Sequence, residues 1–264
     1  MAGTTTAERG ERRRESSGPP LVRRLGPRRL RTIAVAALAL VLLTAGAVWL
    51  LYGSAWLRVE RVSVSGTRVL TEAQVREAAD VPVGAPLVSV GTDAMEARLR
   101  ERLLRIDTID VTRSWPNGIR LKVTERKPVL LVQKAGKFVE VDDEGVRFAT
   151  VSRAPKGVPL LELRLARSGS AAASLRRFDE ARLVREAVRV AGDLPGRIAR
   201  DTRSVRVRSY DDISLELTGD RTVEWGSSEK GAVKSRTLTA LMKATPDAGH
   251  FDVSVPTAPA SSGS

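Results

Sequence analysis

From Thr32 to Leu57 the chain carries no charged side chain, and this run constrains everything around it. As an α-helix, at about 1.5 Å per residue, it is about 39 Å long, more than the roughly 30 Å hydrocarbon core of a bilayer. A helix satisfies its own backbone hydrogen bonds, so it can cross lipid, with a tilt or with one end in the interface. Trp49, Tyr52 and Trp56 gather at the C-terminal end, where amphipathic rings favour the headgroup level. Arg28, Arg29 and Arg31, behind Arg23 and Arg24, crowd the other end and place it in the cytoplasm. Everything after about Arg58 is then outside. The competing reading is a cleaved signal sequence, with Ala45-Gly46-Ala47 as a small-residue site. It fails because apolar sequence continues well past that site and the preceding segment is too long.

Residues 1–31 are polar and aperiodic, which predicts a disordered tail. They hold nine arginines against three glutamates, so +6 of the net charge of +13 is there. The other +7 is spread thinly over the rest of the chain, without the basic stripe expected for nucleic-acid binding. The absence of cysteine removes disulfides, thiolate metal sites and thiol nucleophiles, and one histidine leaves little for a triad.

After the apolar run, Val59, Val62 and Val64 predict a strand that closes at Gly66. Thr71-Glu72-Ala73-Gln74 is a capping box, which predicts a short helix to about Ala79. Pro82, Gly84 and Pro86 stop it. A second helix is expected from about Asp93, with Met95, Leu99 and Leu103 on its buried face and Glu96–Arg100 and Glu101–Arg105 as i,i+4 pairs. Ile109 and Val111 alternate with polar residues, and so do Ile119, Leu121 and Val123 after Pro116-Asn117-Gly118, the pattern of a hairpin. Pro128 cannot donate to a ladder and marks where one strand system ends. Strand–helix–helix–strand–strand in about seventy residues is an α+β unit with helices on one sheet face.

The remainder is strand-rich. Strands are expected at Val129–Val132, Phe138–Val141, Val146–Phe148, Leu160–Leu165, Val205–Val207, Ile213–Leu217, Thr222–Trp225 and His250–Val255. A loose loop is expected over Arg167–Ser174. Helices are expected at Leu175–Ala191, burying Ala181, Val184, Val188 and Ala191, and at Glu229–Lys243. The expected organisation is 1–31 cytoplasmic tail, 32–57 membrane helix, 58–127 first domain, 128–256 second domain and 257–264 disordered tail.

Little here points to catalysis. Ser227-Ser228-Glu229-Lys230 fits S-x-x-K, but the S-D-N and K-T-G companions of that motif are missing, and a serine before a helix is commonly an N-cap. Asp142-Asp143-Glu144 and Asp211-Asp212 read as solvated turns without calcium-loop spacing. No Gly-rich phosphate loop follows a strand. What remains is binding. Phe251, Val253 and Val255 alternate in the last expected strand, and nothing after it is expected to pair. That strand either accepts a partner strand or simply completes a sheet.

Trp115-Pro116-Asn117, the strand after it, and Thr124-Glu125-Arg126-Lys127-Pro128-Val129 resemble the close of the POTRA domain in FtsQ/DivIB bacterial division proteins. The likeness continues in Val62-Ser63-Val64-Ser65-Gly66, in Pro82–Val90, in Trp225-Gly226 and in Phe251-Asp252-Val253. It implies an α+β fold: one transmembrane helix, a POTRA-like β-α-α-β-β domain, and a strand-rich FtsQ-type β-domain with two helices. It also implies a non-catalytic divisome subunit at the septum, without cofactor or metal. Such a subunit binds FtsL-like and FtsB/DivIC-like single-pass partners and links them to the septal synthase FtsW/FtsI. The implied partner site is His250, Phe251, Asp252, Val253, Ser254, Val255, Pro256 and Thr257, paired by β-augmentation and shortened by Pro256 and Pro259. The alternative is another extracytoplasmic POTRA-type polypeptide-binding membrane protein, though neither POTRA repeats nor a β-barrel are evident.

Overall fold

The computed structural model describes residues 27–164 and 179–263, and divides into two compact units between Ser54 and Ala55. The first contains helix α1, Pro27–Gly53. An 18-residue stretch within Arg28–Gly53 has a mean hydropathy of 2.5, and the helix is apolar and long enough to cross a membrane. The helix is offset from the uncharged run. It opens early enough to include Arg28, Arg29 and Arg31, and it ends at Gly53. Trp49 and Tyr52 are exposed on its last turns, while Trp56 falls outside it in a short 3-10 turn, Ala55–Leu57. Within the helix the Thr44 hydroxyl donates to Leu40 O and Val41 O, both at 2.9 Å, so its polar group needs no outside partner.

The second unit opens with β1 (Arg61–Ser65), α2 (Glu72–Ala79), α3 (Thr92–Arg102), β2 (Ile106–Ser114) and β3 (Gly118–Glu125). The sheet order is β1-β3-β2, with β1 parallel to β3. Thr71 Oγ1 accepts from Gln74 N at 3.2 Å and Gln74 Oε1 accepts from Thr71 N at 2.9 Å, so the capping box forms as expected. Met95 and Leu99 meet Ile109, Val111, Ile119, Leu121 and Val123 in one core. Glu96 and Arg100 pair at 3.0 Å, but Arg105 lies beyond the end of α3 and is drawn elsewhere.

It is drawn into the second domain. Arg105 donates to the buried Glu140 at 2.5 Å and its guanidinium stacks 5.1 Å from the Phe148 ring. Arg126 pairs with Asp142, which is 1% exposed and whose other oxygen accepts from Val146 N at 2.7 Å and Glu144 N at 3.0 Å. Asp142 is therefore not the solvated turn residue expected, because a cation from another domain covers it. Next to Arg126, Glu125 Oε1 accepts from the amides of Arg68 at 2.6 Å, Val69 at 3.0 Å and Leu70 at 3.0 Å. Neighbouring residues of the Thr124–Val129 signature thus fasten the β1–α2 loop and the domain junction.

The second domain comprises β4 (Leu130–Lys134), β5 (Lys137–Val141), β6 (Arg147–Val151), β7 (Leu160–Leu163), α4 (Glu180–Asp193), α5 (Gly196–Asp201), β8 (Thr202–Ser209), β9 (Asp212–Leu217), β10 (Thr222–Gly226), α6 (Gly231–Ala244), β11 (His250–Asp252) and β12 (Ala260–Ser262). Its nine strands run β12-β11-β10-β9-β8-β7-β4-β5-β6. The expected loop Arg167–Ser174 and the start of the Leu175 helix lie outside the described residues. α4 buries Val184 and Val188 and packs Ala191 on the core as expected, and it also buries Leu183, Ala187 and Val190, while Ala181 is exposed. Across β7, β8 and β9 runs a polar ladder: Arg206 pairs with Glu216 and, at 3.4 Å, with Glu162, and Ser204 donates to Glu216 at 2.9 Å.

Candidate partner-binding edge

The sheet ends in β10, β11 and β12. α6 carries the chain back over the sheet, so β11 lies parallel to β10, with Val223 opposite Phe251 and Glu224 opposite Asp252. Phe251 and Val253 are fully buried in the core with Trp225 and Leu238. Thr222 Oγ1 and His250 Nδ1 share a 2.9 Å hydrogen bond. Beyond β11, Asp252 Oδ1 accepts from Ser254 N at 2.9 Å and from Ser254 Oγ at 2.7 Å, turning the chain out of the strand. Gly226 sits directly beneath that turn with φ +75°, and a Cβ there would stand 3.0 Å from Ser254 Cβ. Glycine answers both the left-handed backbone and the close approach.

The chain then folds back. β12 pairs antiparallel with β11, with Ser262 opposite His250, Ser261 opposite Phe251 and Ala260 opposite Asp252. Gly249 N donates to Gly263 O at 2.8 Å, and the Thr245 hydroxyl at the end of α6 donates to Ser261 Oγ at 3.2 Å. Two expectations change. His250–Val255 is not the outermost strand, and within the segment expected as a tail Ala260–Ser262 forms a strand. Ala260-Ser261-Ser262 has no hydrophobic period, so no strand could be read from it. Its order comes from pairing with β11.

The expected site residues therefore divide. Phe251 and Val253 face the core, and His250 and Asp252 are half-buried and bonded within the sheet. Ser254, Val255, Pro256 and Thr257 form the connection to β12, with Val255 and Thr257 exposed. In an antiparallel pair, opposed residues alternate between exchanging both hydrogen bonds and exchanging none. Thr222 N donates to Gly249 O and Val253 N to Glu224 O, both at 2.9 Å, so Phe251 turns its backbone groups to β10 and His250 and Asp252 turn theirs to β12. Ala260 and Ser262 therefore bond inward, while Ser261 directs N–H and C=O away from β11. Sequence reasoning missed Ser261, and only the pairing could reveal it.

Below the edge, α6 starts without a side-chain cap, at Lys230 in left-handed conformation. Lys234, 2% exposed, reaches back to donate to Trp225 O and Ser227 O, both at 2.8 Å. Burial pushes its pKa below the ordinary lysine value, against the pull of Glu229, Asp211 and Asp252. Ser228 Oγ donates to the buried Glu186 at 2.5 Å. Both serines of the S-x-x-K stretch are thus engaged in holding the β10–α6 turn. Among the described residues, no group of three or more His, Asp or Glu side chains converges as a metal site would require.

Residues 57–126 match the model of the POTRA domain, FtsQ-type. Over the full length of both chains, this one is 76% identical to the cell division protein FtsQ of Streptomyces coelicolor and 73% identical to that of Streptomyces collinus. The chain belongs to the FtsQ family of cell division proteins. The FtsQ of Mycolicibacterium smegmatis is 32% identical over 88% of this chain and 65% of its own. The FtsQ-type match takes in β1 to β3 with both helices and stops at Arg126. The β12 edge lies beyond it, in the part shared with the full-length FtsQ relatives.

Proposed function

We propose that this FtsQ-family protein is a non-catalytic scaffold of the division septum. α1 holds it in the plasma membrane, with the N-terminus cytoplasmic and both domains outside. It binds FtsB/DivIC-like and FtsL-like single-pass partners and connects them to septal peptidoglycan synthesis by FtsW/FtsI. Beyond family membership, one observation supports the binding site: β12 ends the nine-stranded sheet with the Ser261 backbone groups turned outward. A partner strand adding there satisfies those groups, while the 254–257 connection and the exposed Val255 offer side-chain contacts beside it. His250–Thr257 thus remains part of the proposed site as its base and rim, with Ala260–Ser262 as the accepting edge.

The test is binding of the full-length protein to the soluble parts of the FtsB/DivIC-like and FtsL-like partners. Ser261→Pro removes an outward donor and no backbone bond to β11, so binding should weaken about tenfold, the value of one backbone bond plus the blocked approach of a strand. Unchanged binding by a folded Ser261→Pro variant would refute the edge. Failure of the wild type to bind either partner, or of a tagged copy to reach the septum, would refute the scaffold reading itself.

A further inference from the structure

The POTRA-type domain has a tip that the partner edge does not use. Three stretches meet where β1 begins. The 115–117 turn of the β2–β3 hairpin is bonded to the chain entering β1, since Asn117 O accepts from Glu60 N at 2.9 Å and from Arg61 N at 3.2 Å. The 82–86 loop is bonded to the same segment, through Val59 N to Ala85 O at 2.9 Å and Gly84 N to Val59 O at 2.8 Å. Both loops carry an apolar side chain outward at this end: Trp115 is 53% exposed and Val83 is 69% exposed. Trp56, just upstream, is 69% exposed.

The charges around them are mainly positive. Arg58 donates to Gly84 O at 2.8 Å and Arg61 to Asn117 Oδ1 at 2.7 Å, each by one of its five N–H groups. The acidic neighbour, Glu60, accepts from Asn117 Nδ2 at 2.7 Å. An exposed indole beside arginines is the pattern of a membrane–water interface, where the ring sits among headgroups and guanidinium groups meet phosphates.

The covalent chain puts lipid within reach. From Gly53 to Val59 the backbone spans at most about 20 Å. A domain of this length is roughly 28 Å across, so the tip that contains Val59 is the one tethered to the end of α1. We propose that this tip rests on the bilayer surface, with Trp115 and Val83 at headgroup depth and Arg58 and Arg61 toward lipid phosphates. The domain would then stand on the membrane by its hairpin turn, with its far end, at Glu125 and Arg126, carrying the second domain. This inference rests on the reading of α1 as a membrane anchor.

The chain has no cysteine, so single cysteines introduced by Val83→Cys, Trp115→Cys, Lys156→Cys and Leu43→Cys can each carry an environment-sensitive fluorophore in the full-length protein. The protein is reconstituted in vesicles of phosphatidylethanolamine and phosphatidylglycerol. Labels at 83 and 115 should be blue-shifted and quenched severalfold more by nitroxide lipid than the label at 156, which should respond to aqueous iodide. The label at 43, inside α1, reads the anchor separately. If it is lipid-quenched while 83 and 115 respond like 156, the surface is wrong and the anchor stands. If 83 and 115 are shielded from lipid and iodide alike, the tip is covered by protein and the proposal fails. If 43 is not quenched, the anchor reading fails and the proposal falls with it.

Discussion

Replacing Glu125 by glutamine keeps the side chain's shape and removes its charge. In the wild type, one carboxylate holds the amides of Arg68, Val69 and Leu70, fixing the loop that leads into the Thr71 cap. Burial alone would raise its pKa, but those amides and the field of Arg105 outweigh it and hold the group below its ordinary value near 4.5. Glutamine accepts as a neutral oxygen and turns an amino group toward Val69 N, which the second carboxylate oxygen meets at 3.1 Å. Losing the charge assistance and crowding one donor should cost about 2 kcal/mol. For a unit of this size that lowers the melting temperature by about 4–8 °C. The group's folded pKa is the lower one, so its contribution is present above the unfolded value and is lost as pH falls through the folded one. Glutamine resembles the protonated acid, so the two proteins should converge in melting temperature there. Melts of residues 55–264, a compact unit, across pH 7 to 3 test this. Equal melting at pH 7, or a gap that ignores pH, would refute the argument.

Arg105→Met should cost about 3–5 kcal/mol in urea unfolding because Glu140 is left buried without its cation. Adding Glu140→Leu should recover much of that loss, and a simple sum of the two effects would show the pair to be uncoupled. Lys234→Met strands Trp225 O and Ser227 O and should destabilise by about 2 kcal/mol. Because the folded lysine has the lower pKa, wild-type stability should gain as pH rises from that lowered value toward 10.5, and the variant should lack this gain in alkaline melts. Gly226→Ala, at a left-handed position pressed against Ser254, should cost about 1–3 kcal/mol and weaken partner binding by shifting the 254–257 connection. Normal binding and melting would show that the turn has slack.

Features written within a few residues of one another were legible in the sequence. Thr71 and Gln74 meet across one helical turn, Ile119, Leu121 and Val123 share a face by strand geometry, and a long uncharged run needs no partner to be apolar. α5 was missed because it is short and opens on Pro195-Gly196, residues that favour a break. The buried face of α4 is broader than its apolar pattern because of packing: charged Glu186 is buried where Ser228 and Arg189 meet it. Arg105 and Asp142 each looked like solvent-facing charge, since their partners are remote in sequence. The edge of the sheet shows the same division. The alternation of Phe251 and Val253 foretold a strand, but whether it lay outermost depended on Ala260–Ser262, whose small polar side chains carry no signal of their own. Their place comes from backbone hydrogen bonds to β11, which every residue type but proline can make, so only the folded chain could decide it.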